Sequence, residues 1–183
     1  MTAKQRLTLA RVLAFILVIT ISVATFLFRD QARQLAQFGY PGIFLLSFIS
    51  NATVILPAPG ILFVSIFGAV FQPFWVAIAA GAGAALGEMV GYMIGFSGQG
   101  LAERSENYLR LLDWMTNHRP LINLVIMALA FIPNPFFDLA GIAAGTLKIP
   151  IPTFLIFTFI GKTLKMLLFA YAGASSLNWL FGE

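Results

Sequence analysis

The sequence predicts an all-α, polytopic membrane protein built from two inverted repeats, each a re-entrant broken-helix hairpin followed by a transmembrane helix. Three observations carry that expectation. Hydrophobic residues make up 60% of the 183 and charged residues only 10%, against about 25% charged in an average soluble domain. No Asp, Glu, Lys or Arg occurs in the 54 residues between Arg33 and Glu88. A Pro-x-Pro interruption then appears once in each half of the chain.

The elements follow in order. Lys4, Arg6 and Arg11 precede an apolar run at 12–28, which reads as a retained first transmembrane helix. It is longer than a usual signal-peptide core, and no small-residue cleavage site follows before Arg29. Residues 41–97 form the first repeat. Its opening apolar block, Pro41 to Phe71, spans 31 residues, too long for one crossing of about 20 residues and too short for two. Pro57, Pro59 and Gly60 interrupt it, freeing carbonyls and removing amide donors. Such backbone is tolerated at membrane depth only inside protein or against a watery cavity. A re-entrant hairpin satisfies both length and chemistry.

The helix that completes the repeat, Phe74 to Phe96, carries Gly83, Gly87, Gly91 and Gly95 at a spacing of four. Such a stripe lets another backbone come close. It predicts helix packing first, and a moving or lipid-handling surface second. Residues 101–118 alternate Leu101, Tyr108, Leu111, Leu112 and Met115 with charged neighbours, the pattern of an amphipathic linker helix at the interface.

Residues 120–173 repeat the plan. Pro133 and Pro135 match Pro57 and Pro59 at an offset of 76. Gly145, Pro150 and Gly161 match Gly68, Pro73 and Ala84 at 77. A returning hairpin plus one crossing leaves the chain on the opposite side, so the second copy inserts upside down, a recurrent plan among transporters. Most loop Lys and Arg then fall on the side of the N-terminus, which the positive-inside rule makes cytoplasmic. The C-terminus is expected on the other side.

Ionisable groups inside membrane segments are expensive and are functional candidates by default. Glu88 lies beside the glycine stripe, Asp138 follows the second Pro-x-Pro, and Lys162 and Lys165 share one face of the last helix. Under the offset of 77, Glu88 and Lys165 are equivalent positions. Two readings stand open: charge pairs that dock the halves, with Asp138 or Glu88 opposite Lys162 or Lys165, or a polar lining that accepts a headgroup or a proton. The expected lipid path comprises Glu88, Asp138, Lys162, Lys165 and Asn134. His118 reads as a solvated residue in a charged stretch.

The run Pro57-Ala58-Pro59-Gly60-Ile61-Leu62, with Gly68, Pro73 and the glycine-rich helix, resembles the DedA superfamily, whose shared region is the VTT or SNARE-associated domain. The second half, Phe131-Ile132-Pro133-Asn134-Pro135-Phe136-Phe137-Asp138-Leu139-Ala140-Gly141-Ile142 and then Ile160-Gly161-Lys162, is similar to the vacuole membrane protein branch. The resemblance implies two opposed re-entrant hairpins and phospholipid scrambling. Its bacterial members imply flipping of polyprenyl phosphate, often driven by protons. Ile61 stands where an acid commonly follows the first Pro-x-Pro, and Asn134 and Asp138 stand where arginines are common. Both departures favour the scrambling analogy.

The expected function is therefore a lipid scramblase or flippase and not an enzyme. The alternatives are a proton- or ion-coupled transporter of a small solute and a non-transporting membrane organiser. No cofactor or metal is expected. The absence of cysteine removes thiol chemistry, and a single histidine gives no ligand set. Expected partners are membrane phospholipids or polyprenyl phosphate and a second copy in a homo-oligomer, with no nucleic acid. The expected location is a bacterial inner (plasma) membrane, with the whole chain, 1–183, as one membrane domain.

Overall fold

Proline, glycine and length set the helix boundaries. In the computed structural model, residues 38–52, 60–97, 106–133 and 137–181 are described, with side chains as far as Ser176. The first apolar run at 12–28, Pro57, Pro59, Asn134, Pro135 and the beginning of the linker lie outside them. All regular structure among the described residues is helical.

Helices α1 (Gly39–Ala52) and α2 (Gly60–Val70) flank the first Pro-x-Pro. Pro73 then opens α3 (Pro73–Gly87), preceded by Gln72 in extended backbone. Proline suits this first helical position, because its missing amide would have no partner there. Helix α4 (Met89–Phe96) continues α3 with scarcely a break. Glu88 keeps right-handed helical angles, and the ladder runs through it from Glu88 N to Ala84 O and from Tyr92 N to Glu88 O, both 3.1 Å. Together they form a 24-residue apolar rod, Pro73–Phe96, about 36 Å long at 1.5 Å per residue.

Helix α5 (Glu106–Asn117) and a 3-10 turn (Arg119–Leu121) lead to α6 (Ile122–Phe131). Ile132 leaves α6 in extended backbone, as the ring of Pro133 requires of the residue before it. Helix α7 (Phe137–Thr146) follows, and α8 (Ile151–Phe181) closes the chain. Two segments, Pro73–Phe96 and Ile151–Ser176, are long and apolar enough to cross a membrane. The arms α1, α2, α6 and α7 have 14, 11, 10 and 10 residues, each short of the roughly 20 needed to span about 30 Å of hydrocarbon.

The helices pair by one scheme in both halves. The first arm packs on the long helix of its own half: α1 on α3, and α6 on α8. The second arm packs on the other half's long helix: α2 on α8, and α7 on α4. Small residues permit these approaches. A Cβ at Gly68 would lie 2.6 Å from the Ala170 Cα, and one at Gly145 would lie 2.8 Å from the Phe96 amide nitrogen. These two glycines are equivalent under the offset of 77.

Two apolar cores result. One gathers Ile43, Val64, Phe67, Val76, Ala80, Met166 and Ala170; the other Tyr92, Tyr108, Met115, Ile126, Ile142 and Phe154. The rod α3–α4 enters the first core and leaves through the second, whereas α8 runs from the second to the first. The two long helices therefore lie antiparallel. Phe74, Trp75, Met93, Phe96, Ile156 and Leu168 point outward and are well exposed, an apolar exterior suited to lipid.

The linker helix is docked as well as amphipathic. Tyr108 and Met115 are fully buried, and the Tyr108 hydroxyl meets Thr146 Oγ1 of α7 at 3.0 Å. Its outer face carries the exposed Arg110–Glu106 ion pair.

Candidate functional site

The glycine stripe decides which helices surround the buried charges. Gly83 and Gly87 face α1: a Cβ at Gly87 would lie 2.6 Å from Phe48 O and 2.9 Å from the Ala52 amide. Gly91 and Gly95 face α7, meeting Asp138 O and Ile142. One stripe thus serves two partners, and Glu88 sits at the changeover. Gly60 opens α2 with no atom near its Cβ position.

At that level α8 presents Lys162 to α3. Its Nζ donates to Glu88 Oε1 in a buried ion pair and to Asn51 Oδ1 of α1 at 2.9 Å. The ammonium also stands 4.6 Å from the centre of the Phe137 ring at the start of α7, a cation–π contact. Asn51 is oriented in turn, its Nδ2 donating to Ser47 O at 2.8 Å. One lysine thereby ties together α1, the α3–α4 junction, α7 and α8.

Lys165 lies one turn further along α8. It is only 8% exposed, yet among the described residues it has no ion pair or direct hydrogen bond. Asp138, half-buried in the first turn of α7, also has no lysine within ion-pair distance. Glu88, Asp138, Lys162 and Lys165 nonetheless interact electrostatically as one cluster. Of the two acids that the sequence offers as partners for a lysine, Glu88 is the one that holds Lys162, and a direct pairing of Asp138 with either lysine is not what the structure shows. The reason is packing, since α8 lies against α3 while Asp138 is carried by α7, whose main neighbour is α4.

Two further polar groups are buried on α8, Thr158 on the face of the lysines and Thr163 off it, against Gly81 of α3. The Thr158 and Thr163 hydroxyls are buried and have no hydrogen-bond partner. Thr158, Lys162 and Lys165 recur at i, i+4 and i+7, on one face of α8. A buried hydroxyl without a partner costs about 1–3 kcal/mol, so this face is not optimised for stability alone. Sequence reasoning missed Asn51, Phe137 and both threonines. Asn51 did leave a signal, an amide in an otherwise uncharged membrane stretch.

The VTT domain model matches residues 56–175. The chain is 34% identical over 107 residues to vacuole membrane protein KMS1 of Arabidopsis thaliana, covering 48% of this chain and 26% of that one. It is 34% identical over 139 residues to the vacuole membrane protein 1 homolog of Dictyostelium discoideum, covering 63% and 33%. It thus aligns with about a quarter to a third of the length of these curated relatives. No solved structure matches the chain. Matching well over half of its residues to the family model, the chain belongs to the VTT-domain family of membrane proteins, within the DedA superfamily.

Proposed function

We propose that the protein moves lipid headgroups between membrane leaflets, as a phospholipid scramblase or flippase, with polyprenyl phosphate as a second candidate substrate. One observation carries the reading: Lys165, with no direct partner among the described residues, and two orphan threonine hydroxyls lie buried on α8, the helix whose Lys162 is bonded to Glu88 and Asn51. A lone charge at mid-membrane costs at least about 2.5–3.5 kcal/mol. A chain that keeps such a charge without a direct counter-ion holds a place for an anion. Phosphate suits it in charge and in its acceptor oxygens.

The short arms on either side of each Pro-x-Pro support re-entrant hairpins, and the antiparallel long helices with their matched packing support inverted repeats. In this mechanism the hairpins bring polar backbone to the midplane. The headgroup slides past Lys165 while its acyl chains remain in lipid, and no covalent bond changes. The cytoplasmic N-terminus follows from loop charge. The bacterial inner membrane gains no support from the relatives, whose names specify vacuole membranes.

Reconstitution into vesicles carrying a fluorescent phospholipid tests the reading. Protein-dependent loss of leaflet asymmetry without an ion gradient is expected. Lipid that stays in its leaflet would overturn the proposal. A second reading, a proton-coupled transporter of a small solute, rests on the buried Glu88–Lys162 pair. It requires uptake that collapses with an uncoupler.

A further inference from the structure

At one end of the molecule, the turns before α6 and α8 line an open cavity of about 340 Å³. Arg119 and Lys148 line it, together with Asn123, Thr153, Ile122 and Pro150, and no carboxylate contributes to the lining. Among the described residues neither cation makes an ion pair.

Lys148 also pays a conformational penalty to be there. Helix α7 ends in a Schellman turn, with Ile149 N bonded to Ala144 O and Lys148 N to Gly145 O, both 3.0 Å. Lys148 occupies the left-handed position of that turn at φ 53°, where glycine is the ordinary residue. Among the described residues it is the only non-glycine residue with positive φ. Strain held at one position, with the side chain at a cavity, points to function.

The opposite half lacks this device. Under the offset of 77, Lys148 corresponds to Phe71. That ring packs against Tyr40, with centroids 5.6 Å apart. Arg119 corresponds, at the offset of 76 that applies before the inserted residue, to the buried Ile43. Among the described residues, the positions equivalent to Arg119 and Lys148 therefore carry no cation. Chain neighbours of the cavity's lining residues are apolar and face outward, with Leu121, Leu124 and Ile151 each about half exposed. Two exposed cations close in sequence to outward apolar side chains match the polarity of a lipid at the interface, a charged headgroup with chains alongside.

We infer that the Arg119–Lys148 cavity is an interfacial binding site for the phosphate of an anionic membrane lipid, with a phosphomonoester preferred. Two cations and no acid complement a dianion better than a zwitterion. Arg119 offers a planar fork of donors to phosphate oxygens, and Lys148 a point charge. Asn123 and Thr153 add neutral donors. The site goes beyond the transport reading, because it binds whether or not lipid crosses the bilayer.

Native mass spectrometry of the full chain in detergent tests this, titrating phosphatidic acid, phosphatidylcholine and inorganic phosphate separately. Phosphatidic acid is expected to bind at least tenfold more tightly than phosphatidylcholine. Each cation near a membrane surface contributes roughly a fivefold factor, so Arg119→Gln with Lys148→Gln should weaken phosphatidic acid at least tenfold and leave phosphatidylcholine unchanged. Lys148→Gly relieves the backbone strain, so it should raise the unfolding temperature while weakening phosphatidic acid roughly fivefold. That opposition is not what a structural lysine would give. Equal binding of the two lipids, or unchanged phosphatidic acid affinity in either variant, would overturn the inference. Inorganic phosphate binding as tightly as phosphatidic acid would also overturn it, making the cavity a site for free anions.

Discussion

Lys162 Nζ is bonded to Glu88 Oε1 across the contact between the two long helices, and both side chains are about 95% buried. The pair joins one half of the chain to the other. Opening a buried pair by removing one partner costs about 3–5 kcal/mol, whereas replacing both by apolar groups is often neutral or stabilising. Glu88→Leu and Lys162→Met are each expected to destabilise by several kcal/mol on that basis. The double variant should recover most of the loss, as read by thermal unfolding in detergent. If either single variant unfolds like the parent, the pair does not hold the halves together.

Lys165 should behave in the opposite way. Lys165→Met removes a buried charge that has no direct partner, so stability should hold or rise. Headgroup movement in vesicles should fall at least tenfold. A Lys165→Met protein that scrambles normally would remove Lys165 from the path.

The glycine stripe separates into tight and loose positions. Gly87→Ala sets a Cβ 2.6 Å from the Phe48 carbonyl oxygen, an overpacking expected to cost about 1–3 kcal/mol. Gly91→Ala meets Asp138 O at 3.7 Å, an ordinary contact. It should be neutral or slightly stabilising, since alanine favours helix by up to about 1 kcal/mol over glycine. Comparing the two unfolding temperatures checks the assignment, and equal effects would refute it.

Tyr108 is one of the anchors of the linker helix, beside the buried Met115. Tyr108→Phe keeps the packing and loses the bond to Thr146, an expected cost of about 0.5–1.5 kcal/mol. Tyr108→Ala empties a fully buried site and should cost about 3–5 kcal/mol. Hydrogen exchange over Glu106–Asn117 should accelerate in both, more in the second. Unchanged protection would mean that α5 is held by other contacts.

Orientation of the two halves can be read by labelling. The chain has no cysteine, so Phe74→Cys, in the first turn of α3, and Lys148→Cys, in the turn before α8, each introduce a single thiol. Inverted repeats require a membrane-impermeant maleimide to reach them from opposite faces. Labelling from the same face would refute the inversion.

Much of the architecture is written locally, and the sequence alone determined it. Apolar length marks Phe74 to Phe96 and Ile149 to Tyr171 as crossings, close to the helical segments Pro73–Phe96 and Ile151–Ser176, because hydrocarbon thickness sets the number of residues needed. Pro73 and Pro133 mark helix boundaries because a proline restricts its own backbone and that of its predecessor. The charges Glu88, Asp138, Lys162 and Lys165 declare themselves by their cost in apolar surroundings. Tertiary structure alone decided who meets whom. Periodicity places Lys162 on a face of α8 but does not say that α3 crosses there, so the choice of Glu88 over Asp138 was not legible. The division of one glycine stripe between α1 and α7, the recruitment of Asn51 and the meeting of Arg119 with Lys148 have the same origin. Each depends on how two helices distant in sequence pack together, and the spacing of residues along one helix carries no record of the other.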